Sequence, residues 1–202
     1  MARRLRIAVL VSGEGTTLEY LADAIQGGHI PATIQIVVAD RAHAPAIEKA
    51  RLRGLPTVVL PLRGASESSW AAHLNQELSV RRVELVVLAG FLSVVPPAFL
   101  SGWDGRVLNV HPSLLPKFGG RGFYGLRVHR AVLAEGERES GASVHWVTDV
   151  LDGGRVVGQS RVPVEPGDTP ERLQERIRPV ERALLAETLA KIADGTIPLG
   201  GG

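Results

Sequence analysis

A chain of 202 residues, 45% of them hydrophobic and 22% charged, is long enough to bury a core and too apolar for a disordered segment. Its 23 basic and 21 acidic residues leave a formal charge of +2 without any block of five like charges, so nothing in the balance points to nucleic acid. The absence of cysteine removes disulfides, a thiol nucleophile and thiolate metal ligands, and agrees with a reducing cytoplasm.

The start Met1-Ala2-Arg3-Arg4-Leu5-Arg6 looks like a signal n-region, but the apolar run Ile7 to Val11 is too short for an h-region and is broken by Ser12-Gly13. No stretch reaches the length of a membrane span. Ile7 to Val11, Ile34 to Ala39, Thr57 to Leu60, Leu85 to Ala89 and Val107 to Val110 are apolar and β-branched, as strands buried on both faces of a parallel sheet are. Between them Thr17 to Ile25, Pro45 to Arg53 and Ser66 to Val80 read as crossover helices. After about residue 140 the rhythm changes. Ser143 to Thr148 and Arg155 to Val164 read as two antiparallel strands around Leu151-Asp152-Gly153-Gly154. A last helix runs from Pro170 to about Ala193, before a Gly200–Gly202 end expected to fray. The expected fold is α/β: a single Rossmann-like, doubly wound, mostly parallel sheet with helices on both faces and an antiparallel C-terminal part. It forms one domain over 1–202, with a nucleotide-binding half to about residue 100 and a catalytic half over about 101–195.

Two places carry chemistry. Ser12-Gly13-Glu14-Gly15-Thr16-Thr17 joins strand one to helix one, where unpaired N–H groups and the helix dipole favour an anion. It has G-x-G but Leu18 where a third glycine would stand, and Asp40 ends strand two where a ribose-binding acid is expected. A phosphate seat, a dinucleotide site and a plain structural turn all remain open for it. The second place is Leu108-Asn109-Val110-His111-Pro112-Ser113-Leu114-Leu115-Pro116. Residues two apart on a strand share a face, so Asn109 and His111 present an amide donor and a titratable ring side by side. They lie at the carboxyl edge of the sheet, where open α/β sheets bind ligands. One carboxylate of the Asp149–Asp152 turn is expected to complete an Asn/His/Asp group.

Other residues read more plainly. His145 is expected to be a hydrogen-bonded structural histidine, and His129 lies on a predicted helix whose buried face the sequence leaves open. Ser113, after Pro112, is expected to cap a turn or touch a ligand, since no G-x-S-x-G elbow exists for a serine hydrolase. No H-x-x-x-H or H-E-x-x-H appears, so no metal is expected. Trp70, Trp103 and Trp146 form no stacking series for single-stranded nucleic acid.

Four segments, Val9-Leu10-Val11-Ser12-Gly13-x-Gly15, Val87-Leu88-Ala89-Gly90-Phe91, Asn109 to Pro116 and Leu151-Asp152-Gly153-Gly154, together resemble the folate-dependent phosphoribosylglycinamide formyltransferases over nearly the whole chain. The same motifs occur in methionyl-tRNA formyltransferase and formyltetrahydrofolate deformylase, but those carry an extra C-terminal or N-terminal domain that does not fit this length. The resemblance implies transfer of the formyl group of 10-formyltetrahydrofolate to the amine of glycinamide ribonucleotide, without a metal, by a cytoplasmic monomer or homodimer. It implies that Asn109 and His111 hold the oxyanion, and that Asp152 makes His111 more basic and organises a proton-relaying water. Gly15, Thr16 and Thr17 would take the phosphate, and Glu181 the ribose or glycinamide. Leu92, Ser93, Val94 and Val95 would line one edge of the pterin slot, and Thr148, Asp149, Val150 and Leu151 with Asp152 the other.

The chain departs from the family pattern in three places. Ser68-Ser69-Trp70 lacks the arginine that commonly meets the folate tail, leaving Arg63 as the nearest substitute, and Ser93 stands where another arginine is common. The loop Phe118-Gly119-Gly120-Arg121-Gly122-Phe123-Tyr124-Gly125 is a longer variant that could supply a cation through Arg121. Outside this reading stand formyl transfer to another amine, such as an amino sugar nucleotide, and an NAD-binding oxidoreductase or non-catalytic nucleotide-binding domain.

Overall fold

Five short apolar runs separated by helices pair in parallel, because all but the half-buried edge run at Thr57–Val59 are largely buried and cannot turn one side to water. In the computed structural model, which describes residues 4–200, they are β1 (Leu5–Val11), β2 (Ala32–Ala39), β3 (Thr57–Val59), β4 (Leu85–Leu88) and β5 (Val107–His111). Two further strands, β6 (Glu139–Trp146) and β7 (Val156–Pro163), add antiparallel to β5 and to each other. The seven form one sheet in the order β3-β2-β1-β4-β5-β6-β7. The expected doubly wound architecture is therefore present. Of the expectations at the two ends, those on Met1–Arg3 and Gly201–Gly202 lie outside the described residues.

The described residues add six helices: α1 (Thr16–Gln26), α2 (Pro45–Leu52), α3 (Glu67–Val80), α4 (Pro97–Leu100), α5 (Leu126–Ala134) and α6 (Pro170–Ala193). The period-two alternation of β1 sorts them between the faces. Ile7, Val9 and Val11 join a core with Leu18 and Leu21 of α1, Ile47 of α2, and Leu185 and Leu189 of α6. Ala8 and Leu10 face the other way, onto Trp70 and Leu74 of α3 and Phe99 of α4. A smaller cluster joins Val132 of α5, Val162 of β7, and Leu173 and Ile177 of α6. Each fully buried Leu, Ile or Phe adds about 1.5–3 kcal/mol of transfer free energy, which drives both layers onto the sheet.

Local signals set most boundaries. Ser66 caps α3 by accepting the Ser69 N–H, and Thr169 caps α6 by accepting that of Arg172. Pro179 inside α6 lacks an N–H, so the Glu175 carbonyl loses its intrahelical partner beside the cleft described below. Two expectations need correction. The strand expected over Ser143 to Thr148 ends at Trp146, where the chain leaves the sheet as a loop that carries Asp152. Gly200 is tied down, its N–H donating to the Gly105 carbonyl at 3.1 Å.

Because β1 is flanked by β2 on one side and β4 on the other, the chain winds away in both directions from the crevice between β1 and β4. The loops after β1, β4 and β5 all leave from the same carboxyl edge, at this switch point.

Candidate active site

Asn109 and His111 point to one face of β5, and the register of the β5–β6 pair places His145 directly opposite Asn109 and Ser143 opposite His111. The Asn109 amide nitrogen lies 3.1 Å from His145 Nε2. His145 Nδ1 lies 3.0 Å from the Trp146 carbonyl oxygen, which fixes its proton there and leaves Nε2 to accept the Asn109 N–H. Asn109 thus has its amide orientation set and one N–H free. His145 is the hydrogen-bonded histidine the sequence suggests, and it also belongs to the site, with Nε2 3.6 Å from Asp152 Oδ1.

Asp152 completes the group. It sits at φ 55°, a left-handed conformation that turns the carboxylate back toward the sheet. Its Oδ2 accepts the Gly120 N–H at 2.9 Å and lies 3.6 Å from His111 Nδ1. Burial pushes the Asp152 carboxyl up, but the two histidine rings in their protonated forms and the Gly120 N–H outweigh it and hold the group below the usual range. It is ionised at neutral pH.

His111 is 4% exposed. Its Nε2 donates to the Phe118 carbonyl at 2.7 Å, so both ring nitrogens face oxygen acceptors and only the imidazolium satisfies both. Burial nevertheless lowers its pKa, outweighing the upward pull of Asp152 and the Phe118 carbonyl. Asp152 does pull His111 toward the basic side, as expected, but desolvation is the larger effect and sets the net direction.

The turn after β5 is held by Ser143, which donates to the Ser113 carbonyl at 2.7 Å and accepts the Leu115 N–H at 2.9 Å. Ser113 is fully buried and donates to the Lys117 carbonyl, so it holds the turn and does not line the cleft described next.

A cleft of about 630 Å³ opens over these residues. Asn109, His111 and Asp152 line it, as do Thr16 and Thr17 at the start of α1, Leu92 to Val95 after β4, Thr148, Asp149 and Leu151, and Glu181 of α6. Leu92 and Val94 are 58% and 66% exposed, an apolar rim on the β4 side. Glu181 is half-buried, and its desolvation raises the carboxyl to about 7 despite Arg178 and Arg182 nearby.

Several expected site residues stand elsewhere. Gly15 lies behind the cleft wall at φ 74°, where an added Cβ would come within 2.7 Å of Ala46 Cβ; it lets α1 begin against α2 and does not line the cleft. Val150 is 63% exposed and outside the wall, because the turn that presents Asp152 points it to solvent. Ser93 lies at the wall, but its hydroxyl donates to Asp40 Oδ2 at 2.6 Å. Asp40 is buried with that partner and with Arg41 Nε 3.7 Å from Oδ1, so it is not presented to a ribose. Arg63 is exposed away from the cleft, whereas Arg121 lies in its wall.

The structure also adds wall residues that the sequence reading missed: Gln174, Arg178 and Arg182 with Glu181 on α6, Phe123 and Tyr124 on the variant loop, and His129 on α5. The signal for the α6 set was present, since 174, 178, 181 and 182 recur at helical spacing on one face. Arg182 sits over the Tyr20 ring of α1 at 6.0 Å, tying that face to the first helix.

Comparison with known proteins gives a consistent result. The formyl transferase family model matches residues 5–189. The chain is 38% identical to phosphoribosylglycinamide formyltransferase of Escherichia coli (strain K12) over 196 residues, 96% of this chain and 90% of that protein. It is 36% identical to the chloroplastic phosphoribosylglycinamide formyltransferase of Arabidopsis thaliana, covering 96% of this chain and 68% of that one. Glycinamide ribonucleotide transformylase 1 from Symbiobacterium toebii superposes with a TM-score of 0.89 at 36% identity, over 98% of this chain and 92% of that one. The phosphoribosylglycinamide formyltransferase of Coxiella burnetii gives 0.88 at 39% identity, over 96% and 89%. With the family model spanning most of its length and such relatives matched nearly end to end, the chain belongs to the formyl transferase family.

Proposed function

We propose that this protein transfers the formyl group of 10-formyltetrahydrofolate to the amine of glycinamide ribonucleotide, giving formylglycinamide ribonucleotide and tetrahydrofolate in purine synthesis. The observation that carries the reading is the meeting of Asn109, His111 and Asp152 at the floor of one cleft whose walls differ in chemistry. One part has the apolar rim of Leu92 and Val94 after β4 and a loop edge at Thr148, Asp149 and Leu151 after β6, which suit a flat pterin read by backbone groups. Another part has Thr16, Thr17 and the unpaired N–H groups of the first turn of α1, which suit a phosphate, and Glu181, which suits the ribose or glycinamide. Arg121, a cation in the cleft wall, supports a contact to a folate carboxylate in place of the arginines missing at 68–70 and 93.

The folate supplies an electrophilic formyl carbon; this chain's residues do the rest. An α-amine has a pKa of about 8, so much of it must shed a proton before it attacks. As its nitrogen bonds to the formyl carbon, charge gathers on the formyl oxygen. The free N–H of Asn109 donates to that oxygen, and His111 Nε2–H, relinquished by the Phe118 carbonyl, is the second donor. Asp152, ionised at 3.6 Å, favours the imidazolium as the donor is used. When the bond from carbon to the folate nitrogen breaks, the proton shed by the amine ends on that nitrogen, and His111 and Asp152 are the groups positioned to pass it on, directly or through a water.

Ligand-dependent thermal stabilisation tests the substrate pair. Glycinamide ribonucleotide and a stable 10-formylfolate analogue are expected to raise the melting midpoint separately and together, and NADH to leave it unchanged. Stabilisation by an amino sugar nucleotide instead of glycinamide ribonucleotide would move the reading to another acceptor amine.

A further inference from the structure

Among the described residues, the buried side-chain polar atoms without a hydrogen-bond partner are Asp40 Oδ1, both nitrogens of His129, Ser140 Oγ and Trp146 Nε1. His129 is the one of these residues that lines the cleft. It is fully buried on α5, with Arg178 and His111 in electrostatic reach, so it stands between the catalytic floor and the α6 wall. Burial, with the positive charge of Arg178 beside it, lowers the ring's pKa to about 4 and keeps it neutral. A neutral imidazole offers one N–H donor and one acceptor, and leaving both unpaired away from water is costly. Natural proteins seldom keep such a group unless something fills it.

We propose that His129 is a binding residue for the amine substrate, its ring N–H reserved for the carboxamide oxygen next to the attacking amine. The inference rests on the acceptor being glycinamide ribonucleotide. With the amine at His111 and the phosphate at Thr16 and Thr17, the carboxamide lies between the catalytic floor and the α6 wall, the stretch that His129 occupies. Both ring nitrogens are buried, so this contact requires the ring to rotate toward the cleft, which the broad terminal torsion of a histidine permits. Being neutral, the ring donates to the carboxamide without adding a charge that would hold the amine back from attack.

The test uses His129→Phe, with His129→Met as a second, more adaptable apolar replacement should the first not fold. Dissociation constants are measured for glycinamide ribonucleotide and for its analogue with a methylene in place of the carbonyl. The expected result is an increase of about tenfold for the natural substrate, the size of one lost hydrogen bond. The analogue and the folate should bind both variants as they bind the wild type. The melting midpoint without substrate should hold or rise, because an unpaired buried polar group has been removed. Unchanged affinity for the natural substrate would overturn the proposal, as would an equal loss for the analogue or a lower midpoint, which marks a packing histidine. If the wild type fails to bind glycinamide ribonucleotide at all, the functional reading above fails instead.

Discussion

Asp152 Oδ2 faces His111 Nδ1 at 3.6 Å while accepting the Gly120 N–H at 2.9 Å, so one carboxylate oxygen ties the loop after β6 to both the catalytic strand and the variant loop. Asp152→Asn keeps the shape and the Gly120 hydrogen bond but removes the charge that favours a protonated His111. Turnover should fall at least a hundredfold, about 3 kcal/mol in the barrier, with both substrates still binding. Measuring kcat and KM beside the melting midpoint decides it; near-normal kcat would remove Asp152 from the chemistry.

Acid should cost stability through the same residue. The Asp152 pKa is lowered in the folded protein, so its stabilising contribution is complete above the unfolded value of about 3.9 and is lost as pH falls through the folded value. Urea titrations between pH 3 and 7 should therefore show a shallower acid loss for Asp152→Asn than for the wild type. Parallel curves would mean that the carboxylate gains nothing from its neighbours.

Glu181 works in the opposite direction. Its folded pKa of about 7 lies above the unfolded value, so the wild type loses stability as pH rises from the ordinary carboxyl range to about 7. Glu181→Gln should flatten that stretch and be the more stable protein at pH 8. Its KM for the ribonucleotide should rise while that for the folate holds. A variant that is less stable at pH 8 would show that the charged carboxylate has a partner in the fold.

The glycines of the two site loops act through space and backbone conformation. At Gly15 an added methyl meets Ala46 at a φ of 74°, so Gly15→Ala should destabilise by about 1–3 kcal/mol and, by shifting the start of α1, raise the KM for the ribonucleotide. At Gly154 a Cβ would collide with the Trp146 carbonyl oxygen, so Gly154→Ala should distort the turn that presents Asp152 and reduce kcat. Chemical denaturation with steady-state kinetics separates the two; an unaffected Gly15→Ala would mean that α1 can slide on α2 without cost.

The layout of the sheet was legible because the largely buried parallel strands leave a strong apolar signature, and Asn109 and His111 were legible because strand alternation fixes a common face. What stayed hidden depends on contacts between distant segments. Nothing local says that Ser93 turns to Asp40, that Gly15 backs onto Ala46, or that Val150 faces solvent while Thr148 and Leu151 line the cleft. His145 was read correctly as hydrogen-bonded, but its partner Asn109 is set by the β5–β6 register, which no single strand encodes. The pKa of His111 is a balance between burial and Asp152, and burial is a property of the whole cleft. Gln174, Arg178 and Arg182 were visible as a helical stripe but lacked a reason to be chosen until α6 was seen to form a wall.

The most direct measurement is a spectrophotometric assay of formyl transfer from a 10-formylfolate to glycinamide ribonucleotide, with the wild type beside His111→Ala. The wild type should turn over steadily, and the folded variant, still binding both substrates, should lose roughly a hundredfold or more in kcat. No turnover by folded wild type, or equal turnover by the variant, would contradict the proposed mechanism.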